Sequence, residues 1–549
     1  MFCAFCYHGK QNGAALWGRP EMRIPMKEFA LDLNSPRRPL ARYWSFCVGS
    51  CHAATALRAD WQSQLKRCRR ELGFRYVRFH GLFCDDMNVV LKNVLTGRVT
   101  LSFAGIDKVF DFLLSIGMRP FVELSFMPEA FASGDSTLFH YKCNTTPPRD
   151  YGQWAWFIGE FIRHIRAQYG AEEIRQWYFE VWNEPNLGGP GSPYGFWAGS
   201  REEYFKLYQV TAQAVKAVDG ALRVGGPATS NNAWIPEFLA FCRESGAPVD
   251  FVSTHQYPTD VVLGYGVEDS ANFQNPFDVS RPERIAETLA LAQTDPEGFQ
   301  RKLEEYSMFQ SHLWERVGRG VLTDMARRAR AEAGELPLFY TEWGSLAGLE
   351  SDGPFGASFI AKTVLDSHGL VDGSSFWTFS DIFEESGQRP EPFHGGFGLL
   401  TQHGVPKAPY RAFQLLNSLG GRLYDAHLAE GTVDVWAVEK AEARAVQFLA
   451  VNHHSLLHPI REEQVRLRLT GGRCSLAQVQ RVDDTHANAL AAWQKMGGPE
   501  YLAPAQVLAL QAASELEREE LPFTQEDGEI RLELTLPPMG TALVTVLLE

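Results

Sequence analysis

Residues 177–186, with the sequence WYFEVWNEPN, begin as a short aromatic and apolar run and end in polar side chains. The first six residues show no regular alternation of apolar and polar positions, which is typical of a strand buried on both faces. Asn183 and Glu184 follow directly at the C-terminal end of this run. The segment therefore predicts a buried parallel strand that carries a carboxyl group to one edge of a sheet.

Similar runs recur between residues 40 and 380. Together, the predicted strands are 43–48, 74–79, 120–124, 177–182, 222–224, 250–253, 338–341 and 374–379. Helical patterns separate most of them, at 60–72, 106–116, 154–168, 201–218, 235–244 and 355–368. Repeated strand–helix units are compatible with a closed barrel or an open doubly wound sheet. Most of the reactive side chains lie at C-terminal strand ends and no glycine-rich phosphate loop is present, so we predict an α/β fold, the (β/α)8 TIM barrel.

The sequence pattern changes after about residue 418, where short alternating β-branched runs begin. The runs 433–438, 446–451, 464–469, 529–536 and 541–547 are typical of antiparallel strands. They predict an accessory β-sandwich over 418–549, with a helical insertion at 475–514. Residues 22–34 are expected to join this sandwich, and residues 1–21 to form an N-terminal extension. The catalytic barrel then occupies residues 35–417.

Composition limits the partners of the chain. The 549 residues carry a formal net charge of −14. Such an acidic surface repels phosphate backbones and anionic lipids, so neither nucleic acid nor a membrane is an expected partner. The N-terminus lacks the order of a secretory signal, and no apolar run reaches about 18 residues. The nine scattered cysteines fit reduced thiols, so we expect a cytoplasmic protein.

A second segment, FYTEWG at residues 339–344, ends the seventh predicted strand with Glu342. Strands four and seven of a barrel lie across its mouth from each other, so Glu184 and Glu342 can project into one cleft. Cleavage of a glycosidic bond needs two such carboxyl groups. One protonates the departing oxygen, and the other meets the positive charge that develops at the anomeric carbon.

The neighbours of the two glutamates suggest their roles. Asn183 can bond the 2-hydroxyl of a sugar and Pro185 stiffens the loop, so we assign Glu184 as the acid/base. Glu342 is then the nucleophile, with Trp343 beside it to exclude water. A single Asn-Glu-Pro is a weak signal and is often only a loop or a helix cap. Two such segments at the ends of strands four and seven argue against a purely structural role.

Further segments resemble glycoside hydrolase family 39, the β-xylosidase and α-L-iduronidase family. They are RFHGLFCDDM (78–87), STHQYP (253–258), WTFSDIFEE (377–385), FHGGFGLL (393–400), VDDTHAN (482–488) and GPEYL (498–502). The resemblance extends over roughly residues 25–549 and is closer to the bacterial β-xylosidases than to the iduronidases. It implies a retaining (β/α)8 glycosidase.

The resemblance also implies roles for individual residues. Glu184 matches the acid/base of the family, and Glu342 matches its nucleophile. Residues that match sugar contacts of the −1 subsite are His80, Asn183, His255, Tyr257, Trp377 and Glu385. Within this set, Tyr257 is expected close to the nucleophile, and Trp377 is expected to form an aromatic wall of the subsite.

Metal chemistry is the alternative for the histidines. The candidate metal site consists of His80, Asp85 and His255, but no compact ligand motif supports it. The two histidines could also be buried side chains bonded to backbone. Because hydrolysis by a carboxyl pair needs no cofactor, we expect neither a cofactor nor a metal.

The connection between the sixth and seventh predicted strands, residues 259–336, is longer than in the bacterial family members that the chain resembles. Residues 259–279 are polar and contain glycine, whereas 282–293 and 303–333 show helical patterns. Long loops on the active face of a barrel form lids or partner contacts. We therefore expect this insertion to affect the aglycone subsite and the choice of substrate.

These features predict a retaining, exo-acting β-glycosidase. The preferred hypothesis is a β-xylosidase that releases xylose from the non-reducing end of xylo-oligosaccharides by double displacement. Two alternatives stay open: a family member for another sugar (an α-L-arabinoside, a β-glucoside or a uronide), and a non-catalytic carbohydrate-binding protein. The expected partner is a small oligosaccharide or glycoside, and the family resemblance permits a homo-oligomer.

Overall fold

The computed structural model describes residues 25–190, 195–260, 282–385 and 387–549, without the side chains of 282–285 and 305–313. Its centre is a closed barrel of eight parallel strands, each hydrogen-bonded to the next around the ring. The strands are Cys47–His52, Tyr76–His80, Arg119–Leu124, Tyr178–Val181, Arg223–Thr229, Phe251–Gln256, Leu338–Trp343 and Gly373–Phe376. The predicted (β/α)8 barrel is confirmed. The predicted N-terminal extension, residues 1–21, lies outside the described residues.

Helices surround the barrel. They are Ala59–Leu72, Ala104–Ser115, Tyr151–Tyr169, Ala171–Ile174, Arg201–Val218, Ile235–Ser245, Pro282–Thr294, Pro296–Arg316, Val321–Ala333, Pro354–Asp366 and Ala408–Ser418. Val321–Ala333 packs against the sixth and seventh barrel strands and so takes the place of the sixth barrel helix. The helices Pro282–Thr294 and Pro296–Arg316 are therefore the additional part of the predicted insertion. Most of its polar part, residues 261–279, lies outside the described residues.

Aromatic side chains fill the N-terminal end of the barrel. They come from strand starts or from the residue just before a strand: Phe46, Tyr76, Phe121, Tyr178, Phe251 and Phe339. Phe46 and Phe339 stack with ring centroids 4.9 Å apart, and Phe121 and Tyr178 stack at 5.4 Å. Because this end is packed with apolar rings, polar side chains can meet a ligand only at the opposite, C-terminal end.

Several predicted strand boundaries were wrong, and two of the differences have a clear physical reason. Tyr43–Ser45, the start of the first predicted strand, forms a short 3-10 helix whose rings are buried, because an apolar run alone does not separate a strand from a buried turn. The fifth strand continues beyond Val224 through a Gly-Gly-Pro segment to Thr229. Gly225 permits this continuation, because a Cβ atom there would stand 2.4 Å from the backbone oxygen of Phe251 on the next strand.

A β-sandwich follows the barrel. Its first sheet contains four strands, in the spatial order Met26–Asp32, Glu463–Thr470, Glu529–Leu536 and Phe523–Glu526. Its second sheet contains seven, in the order Arg37–Pro39, Arg422–Glu430, Val433–Lys440, Ala445–Asn452, Thr541–Leu548, Cys474–Val482 and Glu519–Glu520. The apolar faces pack together, as in the edge-to-face contact of Phe29 with Phe448. The N-terminal strand Met26–Asp32 joins this unit by parallel pairing with Glu463–Thr470.

The helical prediction for residues 475–514 was wrong in its first part. Cys474–Val482 is a strand that pairs with Thr541–Leu548, and only Ala489–Lys495 and Pro504–Ala513 are helical. The strand contains Leu, Ala and Gln, which favour helices, but its pairing with the largely buried strand Thr541–Leu548 overrides that local preference. Two small hairpins are also present, Val90–Lys92 with Val99–Leu101 and Thr137–Leu138 with Cys143–Asn144. Within the described part of the chain, none of the helices is both long and apolar enough to traverse a lipid bilayer.

Candidate active site

The fourth and seventh barrel strands bring Glu184 and Glu342 together. Glu342 is the next-to-last residue of the seventh strand, and Glu184 follows the end of the fourth. A carboxylate oxygen of each residue lies within 4.8 Å of one from the other. Both side chains are largely buried, with 6% and 5% of the residue surface exposed. The two carboxyl groups thus face a common space at the C-terminal end of the barrel.

A left-handed backbone turn aims Glu184 into the barrel. Trp182 has φ 73° and Glu184 has φ 40°. Residues other than glycine adopt this left-handed backbone region only when their surroundings hold them there. The Glu184 N–H donates to the Ala228 carbonyl at 2.8 Å, and the Leu187 N–H donates to the Glu184 carbonyl at 2.9 Å. These bonds tie the turn to the end of the fifth strand and hold the carboxyl group in position.

Arg78, on the second strand, organises the nucleophile side of the cleft. Its side chain is fully buried, and its Nη1 donates to Glu342 Oε1 at 2.8 Å. Its Nε donates to Glu180 Oε2 at 2.6 Å, and its Nη2 donates to Asn183 Oδ1 at 2.8 Å. The same Nη2 lies 2.8 Å from Glu123 Oε2. All three guanidinium nitrogens are therefore engaged, and none is left to clamp a charged ligand.

Glu123 and Glu180 form a buried layer beneath the cleft. Glu180 Oε1 accepts a hydrogen bond at 2.7 Å from the hydroxyl of Thr341, the residue that directly precedes Glu342 in the chain. Glu123 Oε2 lies 2.8 Å from His80 Nδ1, and its other oxygen accepts from the Ser125 hydroxyl. Burial opposes the protonation of His80, but the Glu123 carboxylate outweighs it and raises the pKa of His80. His80 consequently favours the imidazolium form.

Two more side chains approach Glu342. The Tyr257 hydroxyl donates to Glu342 Oε2 at 3.2 Å, and His80 Nε2 lies 3.6 Å from Glu342 Oε1. Burial and the nearby carboxylates of Glu342 and Glu184 raise the pKa of Tyr257 well above its ordinary value, so it remains a donor. Both oxygens of Glu342 thus have donors beside them, which stabilises the ionised form.

His255 pairs with Glu184 instead. Its Nδ1 lies 2.9 Å from Glu184 Oε1 and 3.6 Å from Glu342 Oε2. Burial, together with the positive charges of Arg78 and His80, lowers the pKa of His255 well below its ordinary value. His255 is therefore neutral, and it can either donate to ionised Glu184 or accept a proton shared with the acid form.

The two glutamates differ in acidity. Burial, reinforced by the charge of Glu342, raises the pKa of Glu184 well above its ordinary value. Burial also raises the pKa of Glu342, but Arg78 and His80 oppose that shift. The protonated form is accordingly favoured at Glu184 and the ionised form at Glu342. This difference in protonation is what a glycosidase requires of its two carboxyl groups.

The remaining predicted residues stand around this pair. The Trp377 ring lies 4.6 Å from the His80 ring, measured between centroids, and the Arg78 guanidinium lies 5.9 Å from a Trp377 ring centroid. Glu385 Oε1 lies 3.8 Å from His80 Nε2, and burial raises the pKa of Glu385 to about 7. The structure thus links all eight predicted site residues, directly or through Arg78 and His80. Trp343 is the exception to our expectation, because its ring packs among Phe359, Phe376 and Phe413, outside the cleft.

Two buried nitrogen atoms of the site have no hydrogen-bond partner within the protein. They are Asn183 Nδ2 and His255 Nε2. Because an unpartnered buried polar atom costs free energy, such atoms in a cleft are suited to a ligand rich in hydroxyl groups. Both residues belong to the predicted sugar contacts.

The predicted metal alternative does not assemble. Asp85 Oδ2 accepts from the Glu129 N–H at 3.1 Å, and no described contact joins it to His80 or His255. The potential ligands that do meet here are Glu184, His255 and Glu342, with one atom of each within 4.8 Å of the others. Both carboxylates also have the protein partners described above, and the expectation that the reaction uses no metal stays a prediction.

Sequence reasoning missed the buried charged layer of Arg78, Glu123 and Glu180. Arg78 contacts the candidate nucleophile, a contact that the sequence did not predict. The available signal was a charged residue in the interior of each of three mainly apolar strands. Charged side chains are almost never fully buried unless they are paired, so three such positions on neighbouring strands indicate a shared network.

A barrel whose mouth holds two facing carboxyl groups of unequal acidity defines a glycoside hydrolase. The family model for glycosyl hydrolases family 39 matches residues 27–272 and 304–531, and the chain belongs to this family.

Individual relatives agree with this assignment. The chain is 43% identical over 528 residues to a β-xylosidase of Caldicellulosiruptor saccharolyticus, covering 95% of this chain and 99% of the relative. It is 33% identical over 533 residues to a β-xylosidase of Geobacillus stearothermophilus, covering 93% and 94%. Among solved structures, it resembles a monomeric β-xylosidase from Caulobacter crescentus CB15, with a TM-score of 0.74 and 32% identity over 95% of this chain and 99% of that one.

Proposed function

We propose that this chain is a retaining, exo-acting β-xylosidase that releases xylose from the non-reducing end of xylo-oligosaccharides. The observation that carries the proposal is the pair Glu184 and Glu342, with carboxylate oxygens within 4.8 Å and unequal acidity. A close pair suits double displacement, for which the two carboxyl groups stand about 5–5.5 Å apart, rather than inversion, which needs room for a water between them. The relatives named as β-xylosidases support the choice of sugar.

In the first step, Glu342 attacks the anomeric carbon and Glu184 protonates the departing oxygen. Arg78 and Tyr257 hold one oxygen of Glu342 each, at 2.8 and 3.2 Å, which fixes the carboxylate before the attack. The raised pKa of Glu184 keeps its proton available for the leaving group. The products of this step are the free aglycone and a covalent xylosyl ester on Glu342.

In the second step, water replaces the enzyme carboxylate at the anomeric carbon. Glu184 has lost its proton and now accepts one from the water, so the same residue serves as acid and then as base. When the ester forms, Glu342 loses its negative charge, and the charge of Glu342 is one cause of the high pKa of Glu184. Formation of the ester therefore lowers the pKa of Glu184 and favours its ionised form as a base.

The surrounding residues are proposed to bind the sugar. Asn183 and His255 have free buried nitrogen atoms for hydroxyl groups, Nδ2 and Nε2. His80 and Glu385 face each other at 3.8 Å and can share a further hydroxyl. Trp377 provides an apolar face for the ring. These contacts would form one closed subsite, as an exo-acting enzyme needs.

A uronide is the less suitable substrate. Recognition of a uronic acid calls for a cation that is free to pair with its carboxylate. Arg78 is engaged by Glu123, Glu180, Asn183 and Glu342 at 2.6–2.8 Å. His80 is paired with Glu123. Neither cation is available without breaking a buried ion pair.

The proposal is tested with a 2-deoxy-2-fluoro-β-xyloside that carries a good leaving group. The fluorine slows both steps while the leaving group keeps the first one fast, so the covalent ester accumulates. We expect one fluoroxylosyl group on the peptide that contains Glu342, and no label in the Glu342→Gln variant. A label on another residue would contradict the assignment of the nucleophile.

A panel of aryl glycosides tests the sugar. We expect the highest kcat/KM with the β-xyloside, followed by lower values for the α-L-arabinoside and β-glucoside and the lowest for an iduronide. A preference for iduronide would overturn the choice of xylose. Binding of xylobiose without hydrolysis would instead favour a non-catalytic carbohydrate-binding protein.

We also propose a cytoplasmic location. Its support is that seven cysteines of the described part, Cys47 to Cys474, are free and buried, as thiols in a reducing compartment are. Fractionation of the producing cell tests this proposal, because the activity should remain with the cell contents. A homo-oligomer stays a prediction that sedimentation velocity can decide.

A further inference from the structure

Asp260 is a buried acid that the proposed mechanism does not use. It lies just beyond the sixth barrel strand, and 6% of its surface is exposed. We propose that Asp260 is a positioning residue, which fixes the backbone of Tyr257 so that the Tyr257 hydroxyl reaches Glu342. The inference rests on the proposed function, because it depends on Glu342 being the nucleophile.

Two reciprocal hydrogen bonds carry the argument. The Tyr257 N–H donates to Asp260 Oδ2 at 2.9 Å, and the Asp260 N–H donates to the Tyr257 carbonyl at 3.1 Å. Residues 257–260 thus form a closed turn, with Pro258 in the second position, where its ring fixes φ near −65°. Both backbone groups of Tyr257 that flank its side chain are therefore held by one residue.

The turn is also attached to the rest of the active face. The Asn231 side chain donates to the Asp260 carbonyl at 3.4 Å, from the loop that follows the fifth strand. The position of Asp260 thus depends on the barrel itself and not only on its own loop.

The consequence appears at the other end of Tyr257. Its hydroxyl donates to Glu342 Oε2 at 3.2 Å, which is longer than the usual range of about 2.5–3.0 Å for an O–H···O hydrogen bond. The hydroxyl lies at the tip of a long, rigid ring, so a small rotation of the backbone moves it out of reach. Without the clip from Asp260, Glu342 would keep Arg78 on one oxygen and lose the donor on the other.

Only an accepting oxygen is needed at position 260. Burial raises the pKa of Asp260 to about 7, and the neutral acid and the carboxylate both offer such an oxygen. An asparagine offers one as well, in a side chain of nearly the same shape. The Asp260→Asn variant therefore separates the accepting atom from the charge.

The test is a double-mutant cycle of Asp260→Ala with Tyr257→Phe, measured as kcat and KM on an aryl β-xyloside. We expect each single variant to lower kcat by about 10- to 100-fold, the contribution of one hydrogen bond to a charged group. If Asp260 acts through the Tyr257 hydroxyl, the double variant is no slower than Tyr257→Phe alone. Asp260→Asn should restore most of kcat. If the negative charge of Asp260 were required, this variant would be as slow as Asp260→Ala.

Two results would overturn the inference. One is a wild-type kcat in Asp260→Ala, and the other is a double variant in which the two losses multiply. Circular dichroism checks that each variant is folded. If the alanine variant is not, Asp260→Leu replaces it, because leucine has the same branching and number of side-chain heavy atoms as aspartate and no acceptor. Labelling of Glu342 is measured separately: a failure there contradicts the proposed function, whereas additive losses with normal labelling contradict only the role of Asp260.

Discussion

Replacement of Arg78 by lysine tests how the site is held together. The substitution keeps the positive charge but removes the planar group that reaches four partners at 2.6–2.8 Å. A lysine ammonium is a compact point charge, so it cannot donate to Glu342 and to Glu180 in the positions that these side chains occupy around the guanidinium. The variant therefore separates the effect of charge from the effect of geometry.

The size of the effect follows from the contacts. If lysine keeps two of the four contacts, the loss is two charge-assisted hydrogen bonds of about 1.5–3 kcal/mol each, or about 3–6 kcal/mol of folding free energy. Of the four contacts, the bond to Glu342 acts directly on the nucleophile. Its loss corresponds to a decrease of about 10- to 100-fold in kcat/KM, since each 1.4 kcal/mol or so is a factor of ten.

Arg223→Lys is the matched control. Arg223 also belongs to a barrel strand, but it lies at the N-terminal end of the barrel. It donates to the Tyr178 hydroxyl at 2.6 Å, and its guanidinium lies 3.7 Å from the Tyr178 ring centroid. We expect this variant to lose stability in guanidinium unfolding and to keep kcat/KM with an aryl β-xyloside. Equal kinetic losses in both variants, or a fully active Arg78→Lys, would refute the reasoning.

Three further variants test the acid and the buried charges. Glu184→Ala should slow substrates with poor leaving groups most and leave a dinitrophenyl xyloside least affected; equal losses for both would contradict its role as acid. The pKa of Glu184 is raised in the folded state, so above pH 4.5 the folded state binds more protons than the unfolded state. The free energy of unfolding of the wild type should therefore fall with rising pH relative to that of Glu184→Gln, by at most about 1.4 kcal/mol per pH unit. Parallel stability curves would show an ordinary pKa. Lys407→Met leaves Asp352 and Asp381 buried without their shared cation at 2.6 Å and should cost about 3–5 kcal/mol of unfolding free energy, against about 0.5 or less for the exposed control Arg163→Met; similar losses would contradict this role.

The barrel could be predicted because its strands are buried on both faces. That burial produces short apolar runs, and the helices between them carry a different period, so the order of elements is visible in the sequence. Exact ends are less visible. Tyr43–Ser45 and Cys474–Val482 show why: an apolar run does not identify a buried turn, and strand pairing overrides helix-favouring composition.

The site residues at strand ends could also be predicted, because polar side chains after a buried strand have few structural reasons to be there. Arg78, Glu123 and Glu180 could not be assigned in the same way. They lie inside strands, where their partners come from other strands of the ring, and the sequence does not say which side chains face each other across the barrel. Asp260 was missed for another reason, since its partner is the backbone of Tyr257.

The stereochemistry of hydrolysis tests the central claim most directly. Proton NMR of a wild-type reaction with an aryl β-xyloside identifies the anomer of xylose that is released first, before mutarotation mixes the two forms. Two displacements at one carbon, by Glu342 and then by water, restore the starting configuration, so the account predicts β-xylose as the first product. Initial release of α-xylose would mean a single displacement and would contradict the role of Glu342 as nucleophile.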